Sequence, residues 1–507
     1  MNSIQVSTAG INKLLGNLKP HKAPGPDNIS PRVLKELRHV ISPILQVIFQ
    51  RSLETGHVPD DWREANIAAV FKKGERYKAS NYRPISLTAI CCKIMEHVIA
   101  SHIMDHLESH QILYKLQHGF RRLRSCETQL IDMVHQLAQQ RNSGTQSDLI
   151  IMDFAKAFDK VSHSRLLLKL DHYGIRGKTL QWISSFLRNR SQRVVLEGES
   201  SETAPVTSGV PQGTVLGPIL FLIFINDLPD HAQHCTVRLF ADDCVLQMEV
   251  RNEDDCLKLQ DDIDNIGRWE RQWLMEFNPT KCEVMSVPAS RNPIWYSYTL
   301  HGHELKRTKE TKYLGVTIQA DLRWNSHVNK TVIKANHTLG LLRRNLKVAS
   351  KPAKDLAYQG LVRPQVEYGS VVWDPHTKHL IHQVEMVQRR SARFVCNRYH
   401  NKSSVTSMLN DLQWPSLQDR RRCARLTMFY KAVNGLVALP VDQYLTPASR
   451  LTRHSHHQKF IPYKPGADYF MYSFIPRTMV EWNQLHPSVA ASETLAQFKS
   501  RLARSAA

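Results

Sequence analysis

The sequence predicts an α+β fold, and three observations carry that prediction. Val237, Leu239 and Phe240, then Cys244, Val245 and Leu246, are two short apolar runs around Ala241-Asp242-Asp243, the pattern of a strand, a tight turn and a second strand. Leu149-Ile150-Ile151-Met152 is an apolar run of the length of a buried strand. Elsewhere apolar residues recur at helical spacing, as in Leu259, Ile263, Ile266 and Trp273, or Val328, Val332, Ala335, Leu339 and Leu342.

The 507 residues are enough for about two or three domains. With 42% hydrophobic residues an ordinary packed core is within reach, which excludes wholesale disorder. A formal charge of +21 and a pI near 9.6 favour a polyanionic partner. Nucleic acid comes before a membrane surface, because a basic membrane-surface protein concentrates its charge on one amphipathic helix. Nine cysteines without a Cys-x-x-Cys pair make neither a disulfide framework nor a zinc ribbon and fit a reducing compartment. Cys396, His400 and Cys423 are too widely spaced for a metal knuckle. Residues 1–10 lack a basic start followed by an apolar run, so no secretory signal is expected. The longest apolar stretch, residues 215–225, holds Gly217 and Pro218 and is too short to span a bilayer.

In chain order, residues 11–19 read as the end of a helix, and Lys22-Ala23-Pro24-Gly25-Pro26-Asp27 as a rigid turn. Ser30 is an N-cap with Pro31 at the first helical position, leading a helix through Leu34, Leu37 and Val40. Residues 62–71 are β-rich and end on Lys72-Lys73-Gly74. Arg83 precedes Pro84, which keeps it extended. Singly, such basic residues are more often solvated charges; Lys72, Lys73 and Arg83 on one hairpin suggest a phosphate cradle. Residues 85–107 read as a helix, Gln117-His118-Gly119-Phe120-Arg121-Arg122 as a basic turn, and residues 125–140 as another helix. The strand at 149–152 delivers Asp153 at its end, where a carboxylate is costly unless paired or on a metal. A basic helical segment then runs to Tyr173.

Ser208-Gly209-Val210-Pro211-Gln212-Gly213 specifies a closely fitted loop that displays Gln212, and residues 219–225 follow as a buried helix. A helix starts near Asp254, Asn278-Pro279-Thr280-Lys281 turns into a strand, and residues 313–318 read as a strand with a glycine at its middle. Asn325-Ser326 caps a further helix. Residues 330–430 hold 18 Lys and Arg against 6 Asp and Glu, a net +12 that suits a phosphate backbone. The last eighty residues, with His454, His456 and His457 in a solvated loop, show no chemistry.

Together these motifs form a recognisable constellation. Phe240-Ala241-Asp242-Asp243 resembles the metal-binding hairpin of reverse transcriptases, Asp153-Phe154-Ala155-Lys156-Ala157-Phe158-Asp159 resembles their first acidic motif, and Ser208 to Gly213 their nucleotide-pocket loop. Residues 22–27 and Asn81-Tyr82-Arg83-Pro84-Ile85-Ser86 resemble fingers motifs of the non-LTR, LINE-like retrotransposon branch. Five motifs in family order over roughly residues 20–320 make the resemblance specific. Residues 361–376 resemble a downstream segment of related elements more weakly.

The resemblance implies a right-hand polymerase fold of fingers, palm with an antiparallel sheet and helical thumb, with a basic C-terminal region. It implies a DNA polymerase using an RNA template, a DNA primer and dNTPs. Its cofactor would be two Mg²⁺ ions about 4 Å apart, with Mn²⁺ as a substitute, clamping attacking and leaving oxygens. Asp153, Asp242 and Asp243 would be catalytic and hold the metals, with the Phe154 carbonyl as an extra ligand; hard cations demand such oxygen donors. Lys72, Lys73, Arg83, Phe158, Gln212, Gly213 and Lys281 would bind the nucleotide, Phe158 as the steric gate against a 2′-hydroxyl. Tyr313, Leu314 and Gly315 would form the primer grip.

Expected boundaries are an N-terminal helical extension with the first fingers motif at 1–60, fingers and palm at 61–320, a basic helical thumb at 321–430, and a region of unknown role at 431–507. The expected location is the nucleus, with the cytoplasm second, and no membrane span. Elements of this branch usually carry an endonuclease ahead of the polymerase. Only about twenty residues precede the first motif here, which suggests a fragment of a larger reading frame or a degraded copy. Competing readings are a group II intron-type enzyme, an RNA-dependent RNA polymerase, for which Asp153 and Asp159 mimic the acid spacing, and an inactive nucleic-acid-binding relic.

Overall fold

The structure, a computed structural model, describes residues 1, 3–448, 456–464 and 466–505. Ser7 caps α1 (Thr8–Gly16) and Ser30, bonded by Arg32 N, caps α2 (Pro31–Glu36). The backbone leaves the helical region at Leu37 and resumes as α3 (Arg38–Thr55), so one expected helix is two. The buried face also differs from the expected one: Leu34 is buried, while Leu37 and Val40 are 50% and 69% exposed.

β1 (Glu64–Phe71) and β2 (Tyr82–Leu87) pair antiparallel with Val70 opposite Arg83. β2 takes the first residues of the segment expected to be helical, and α4 (Ile90–Ser109) begins only after it. Pro84 tolerates this because it lies in the outermost strand of its sheet. α5 (Cys126–Asn142) starts on a reciprocal capping box between Ser125 and Thr128. There follow β3 (Gln146–Met152), α6 (His163–His172), α7 (Gly177–Leu187), and β4 (Arg190–Leu196), which joins β1 in parallel.

The central sheet is completed by four later strands around α8 (Leu216–Ile225) and α9 (Glu253–Trp273): β5 (Thr236–Phe240), β6 (Asp243–Val250), β7 (Glu283–Val287) and β8 (Lys306–Arg307). Their order is β8-β7-β3-β6-β5, with β3 antiparallel to both neighbours. Alternate residues of β3 face opposite ways. Ile150 and Met152 join a first core with Cys244, Leu246 and Val284, and Leu149 joins a second with Val245, Met285 and Val287. Both faces are covered, which is why the run is apolar at every position.

β9 (Glu310–Tyr313) and β10 (Val316–Gln319) form a hairpin, not the single strand expected. Leu314 (φ 45°) and Gly315 (φ 84°) are both left-handed, and two such residues reverse the chain. α10 (Asn325–Asn345) begins after Trp324 without a side-chain cap, where Asn325-Ser326 were expected to supply one. α11 (Lys378–Cys396), α12 (Leu417–Val433), α13 (Phe474–Asn483) and α14 (Leu495–Ser505) complete the chain.

The second core gathers α5 residues such as Leu130 and Leu137 with Val328, Leu339, Val384, Phe429, Trp482 and Phe498, so packing runs without a break across residue 430. Part of the positive charge of this region is spent internally. Arg421 and Arg425 are buried on Asp374 at 2.7 and 2.9 Å, Arg422 pairs with Glu481 at 3.3 Å, and Arg420 pairs with Glu367. His456, expected in a solvated loop, is buried and bonds the Trp482 carbonyl at 2.9 Å; His454 lies outside the described residues. No helix among the described residues is long and apolar enough to cross a membrane.

Candidate active site

Strand register brings the acids together. Met152 pairs with Cys244 and Phe240 with Asp243, so the next step of the ladder sets Asp153 beside Asp243, while Ala241-Asp242 form a two-residue turn at the tip. Ala241 takes φ 53° to close that turn. Cys244 and Met152, one residue inward, are buried, so the acids stand at the end of a rigid sheet.

Protein crowding and mutual repulsion act on these carboxyls. Burial, then Asp242 and Asp153, push Asp243 up to about 6, with Lys72 opposing. Asp242 is also raised, first by burial and then by Asp153, while a backbone hydrogen bond, Arg83 and Lys72 pull it down. The hairpin of β1 and β2 therefore projects positive charge onto the acids through Lys72 and Arg83. Lys73 sits exposed in the turn before Gly74.

Lys281 Nζ donates to Asp153 Oδ2 at 3.0 Å. The turn that presents it is tied to the acid strand, since Asn278 N donates to the Asp153 carbonyl at 2.8 Å and Ala155 N to the Glu276 carbonyl at 2.8 Å. The Phe154 ring stacks on Phe277 at 3.9 Å, and its carbonyl takes no part in these two bonds.

The Gln212 loop bridges β2 and the segment that follows Asp153. Ser86 N donates to the Gln212 carbonyl at 2.6 Å, Gln212 Nε2 donates to Asp159 Oδ1 at 3.0 Å, and Val210 N donates to the Phe158 carbonyl at 2.8 Å. Gly213 (φ 105°) is required, because a Cβ there would stand 2.8 Å from the Ser86 carbonyl oxygen. Ser86, Asp159, Gln192 and Gln212 help line a cavity of about 300 Å³. The Phe158 ring stacks on Phe221 at 4.4 Å and is half-buried.

Sequence reasoning missed three supports of this site. Glu96 is fully buried, and its Oε2 accepts from Val215 N at 2.7 Å and Leu216 N at 3.0 Å, capping the helix behind the Gln212 loop. Arg238 lies buried under the hairpin, donating to Asp132 Oδ2 at 2.5 Å, Gln136 Oε1 at 2.7 Å and Gln247 Oε1 at 2.9 Å. Gln117 accepts a bond from the turn itself, Ala241 N, at 2.9 Å. For Glu96 and Arg238 a charge inside an apolar pattern was the available signal, and it does not name its partner.

Tyr313, Leu314 and Gly315 lie at the tip of the β9–β10 hairpin. The Tyr313 side chain is buried and its hydroxyl accepts from Gln129 Nε2 at 3.2 Å, so only the backbone and Leu314 face outward. Tyr368, from the weakly resembling segment 361–376, donates through its hydroxyl to the Leu314 carbonyl at 2.9 Å.

The acids supply only oxygen donors, which fits a hard divalent cation. Asp242 and Asp243 hold protons more tightly than free carboxyls, first through burial and then through their acidic neighbours, and a bound cation would favour their ionised forms. Among the described residues no three His, Cys, Asp or Glu side chains converge as a ready-made ion cage, and Lys281 rests on Asp153.

Residues 70–318 match the family described as reverse transcriptase (RNA-dependent DNA polymerase). Similarity reaches further in the RNA-directed DNA polymerase from mobile element jockey of Drosophila melanogaster, 26% identical over 431 residues, 82% of this chain and 46% of that protein. The probable RNA-directed DNA polymerase from transposon BS of the same fly is 27% identical over 413 residues, 77% of this chain and 44% of that one. The Retrovirus-related Pol polyprotein from type-1 retrotransposable element R2 of Popillia japonica is 26% identical over 282 residues, 53% and 38% of the two chains. The chain spans about half the length of the curated relatives it matches.

Proposed function

Residues 70–318 are a reverse transcriptase domain of the kind carried by non-LTR retrotransposons, and from that premise we propose that the chain extends a DNA primer on an RNA template with dNTPs. The observation that carries the reading is the meeting of Asp153, Asp242 and Asp243 at adjacent strand ends, under the positive charge of Lys72 and Arg83.

Asp153 and Asp242 would hold the divalent ions, with Asp243 and the Phe154 carbonyl as further oxygen donors. When bound, Mg²⁺ supplies neutralisation of charge on the attacking and leaving oxygens. Lys72 and Arg83 balance the triphosphate, with Lys73 at the edge of the same turn, while Gln212 and the Gly213 backbone line the nucleotide pocket. Phe158 lies beneath the sugar and excludes a 2′-hydroxyl. Lys281 stands where it can neutralise the departing pyrophosphate. Tyr313, Leu314 and Gly315 hold the primer through backbone and the Leu314 side chain.

Residues 61–320 act as fingers and palm, 321–430 as a basic thumb on the template-primer duplex, and 1–60 as a helical extension, while 431–507 have no assigned role. The place of action is the nucleus, where chromosomal DNA supplies the primer.

Primer extension on poly(rA)/oligo(dT) with Mg²⁺ and dTTP, beside an Asp242→Ala control, tests the reading. Extension by the unmutated chain, reduced at least about a thousandfold in the control with duplex binding retained, supports it. Tight, salt-sensitive binding of the duplex without extension would favour an inactive relic.

A further inference from the structure

Residues Leu116 to Gly119 run alongside the strand that leads to the acid turn. Leu239 N donates to the Leu116 carbonyl at 3.1 Å and His118 N to the Leu239 carbonyl at 2.8 Å, so the segment extends the edge of the sheet by one short parallel bridge. Gln117 is 2% exposed, and its Oε1 receives two backbone N–H groups, Ala241 at 2.9 Å and Gly119 at 2.8 Å. Its Nε2 has no hydrogen-bond partner among the described residues, so the oxygen is the end of the amide that bonds. Gly119 makes the approach possible: a Cβ there would stand 2.4 Å from Ala241 N.

Ala241 carries the left-handed conformation (φ 53°) that brings Asp242 to the tip of the hairpin. A non-glycine residue holds such a conformation only where its surroundings impose it. The hairpin ladder ends at the Phe240–Asp243 pair, and the partner of the Ala241 N–H is the Gln117 side chain.

We infer that Gln117 is a positioning residue of the polymerisation site, which sets the place of the Asp242 carboxylate by holding the backbone of Ala241, with Gly119 admitting it to that distance. The inference rests on the reverse-transcriptase reading for its link to rate, and on geometry alone for its link to the turn. An error of about 1 Å at a reacting centre costs on the order of a hundredfold in rate, so the turn does not have to unfold for the effect to be large.

The test uses the full chain and three variants. Gln117→Met keeps the length and removes the acceptor, Gln117→Glu restores an oxygen acceptor, and Gly119→Ala pushes on Ala241 while keeping the Gln117 side chain and both N–H donors. The expected result for Gln117→Met and Gly119→Ala is a fall in kcat of about ten- to a hundredfold. The KM for dTTP and the Kd for template-primer stay within about twofold, because neither residue touches those ligands. Gln117→Glu recovers most of kcat. Hydrogen exchange measured on the peptide 237–246 should accelerate in Gln117→Met while peptides from β1 and β2 keep their protection. Unchanged kcat, or acceleration spread evenly over the chain, would overturn the inference. If the unmutated chain makes no DNA, the polymerase reading fails, and exchange at residues 237–246 still decides whether Gln117 holds the turn.

Discussion

Lys281 Nζ lies 3.0 Å from Asp153 Oδ2, so the ammonium of one site residue rests on the carboxylate of another. Both groups are open to solvent, where such pairs contribute about 0.2–1 kcal/mol. A divalent ion arriving at Asp153 therefore displaces a weak competitor. Lys281→Met is expected to tighten Mn²⁺ binding to the free chain by up to about fivefold and to slow single-turnover nucleotide addition by about a hundredfold. Isothermal titration and rapid-quench kinetics read the two effects separately. Weaker Mn²⁺ binding in the variant would contradict the competition.

Asp243, held up to about 6 by burial and by its two acidic neighbours, stays protonated well above the ordinary carboxylate range near 4. Because its folded pKa is raised, the folded chain binds more protons than the unfolded one between about pH 4 and 6. The stability linked to this group is present below about pH 4 and is lost as pH rises through 6. A divalent ion needs the ionised form, so its binding should weaken below pH 6 and release about half a proton from this group at pH 6 and almost none at pH 8. Calorimetry in buffers of different ionisation enthalpy counts those protons. No release at pH 6 would remove Asp243 from the metal-linked set.

Phe158 is fixed from one side by its stack on Phe221 at 4.4 Å, which gives a gate a defined wall. Phe158→Ala should lower discrimination between dTTP and UTP, measured as the ratio of kcat/KM values, by at least about tenfold. It should also cost about 1–3 kcal/mol of stability from lost packing. A lower Tm with an unchanged ratio would make Phe158 a packing residue only.

Arg238 and Asp132 form a buried ion pair beneath the acid hairpin, 2.5 Å apart. Removing one partner leaves the other charge buried, so Asp132→Ala is expected to destabilise the chain by about 3–5 kcal/mol in denaturant titration. Tyr444 also donates to Asp132, so the loss reaches the C-terminal packing as well. A change below about 1 kcal/mol would mean that water reaches the pair.

What could be read from the sequence was local. The acid turn was legible because two apolar runs stop at Ala241-Asp242-Asp243, and Asp153 because a buried strand ends on it. The supports were not: Glu96 meets Val215, Arg238 meets Asp132 and Gln117 meets Ala241, each across more than a hundred residues. No periodicity within an element points to such a partner. The buried face of the segment spanning α2 and α3 was misread because Leu34, Leu37 and Val40 are equally apolar and only packing against neighbours decides which turns inward. The last eighty residues looked featureless because Trp482 and His456, both buried, are scattered among polar residues.

The second core, which the acid-bearing sheet shares, draws on residues as late as Trp482 and Phe498. A chain leaving the ribosome has made all the strands of that sheet, and α5 that packs on its second face, by about residue 310, yet at ~5–20 residues per second it waits roughly another 10 to 40 s for the last helices of the second core. During that interval the second core is incomplete, and the apolar residues that its last helices cover stay open to chaperones and proteases. The carboxylates are translated early, but the platform that aims them is finished only when almost the entire polypeptide has emerged.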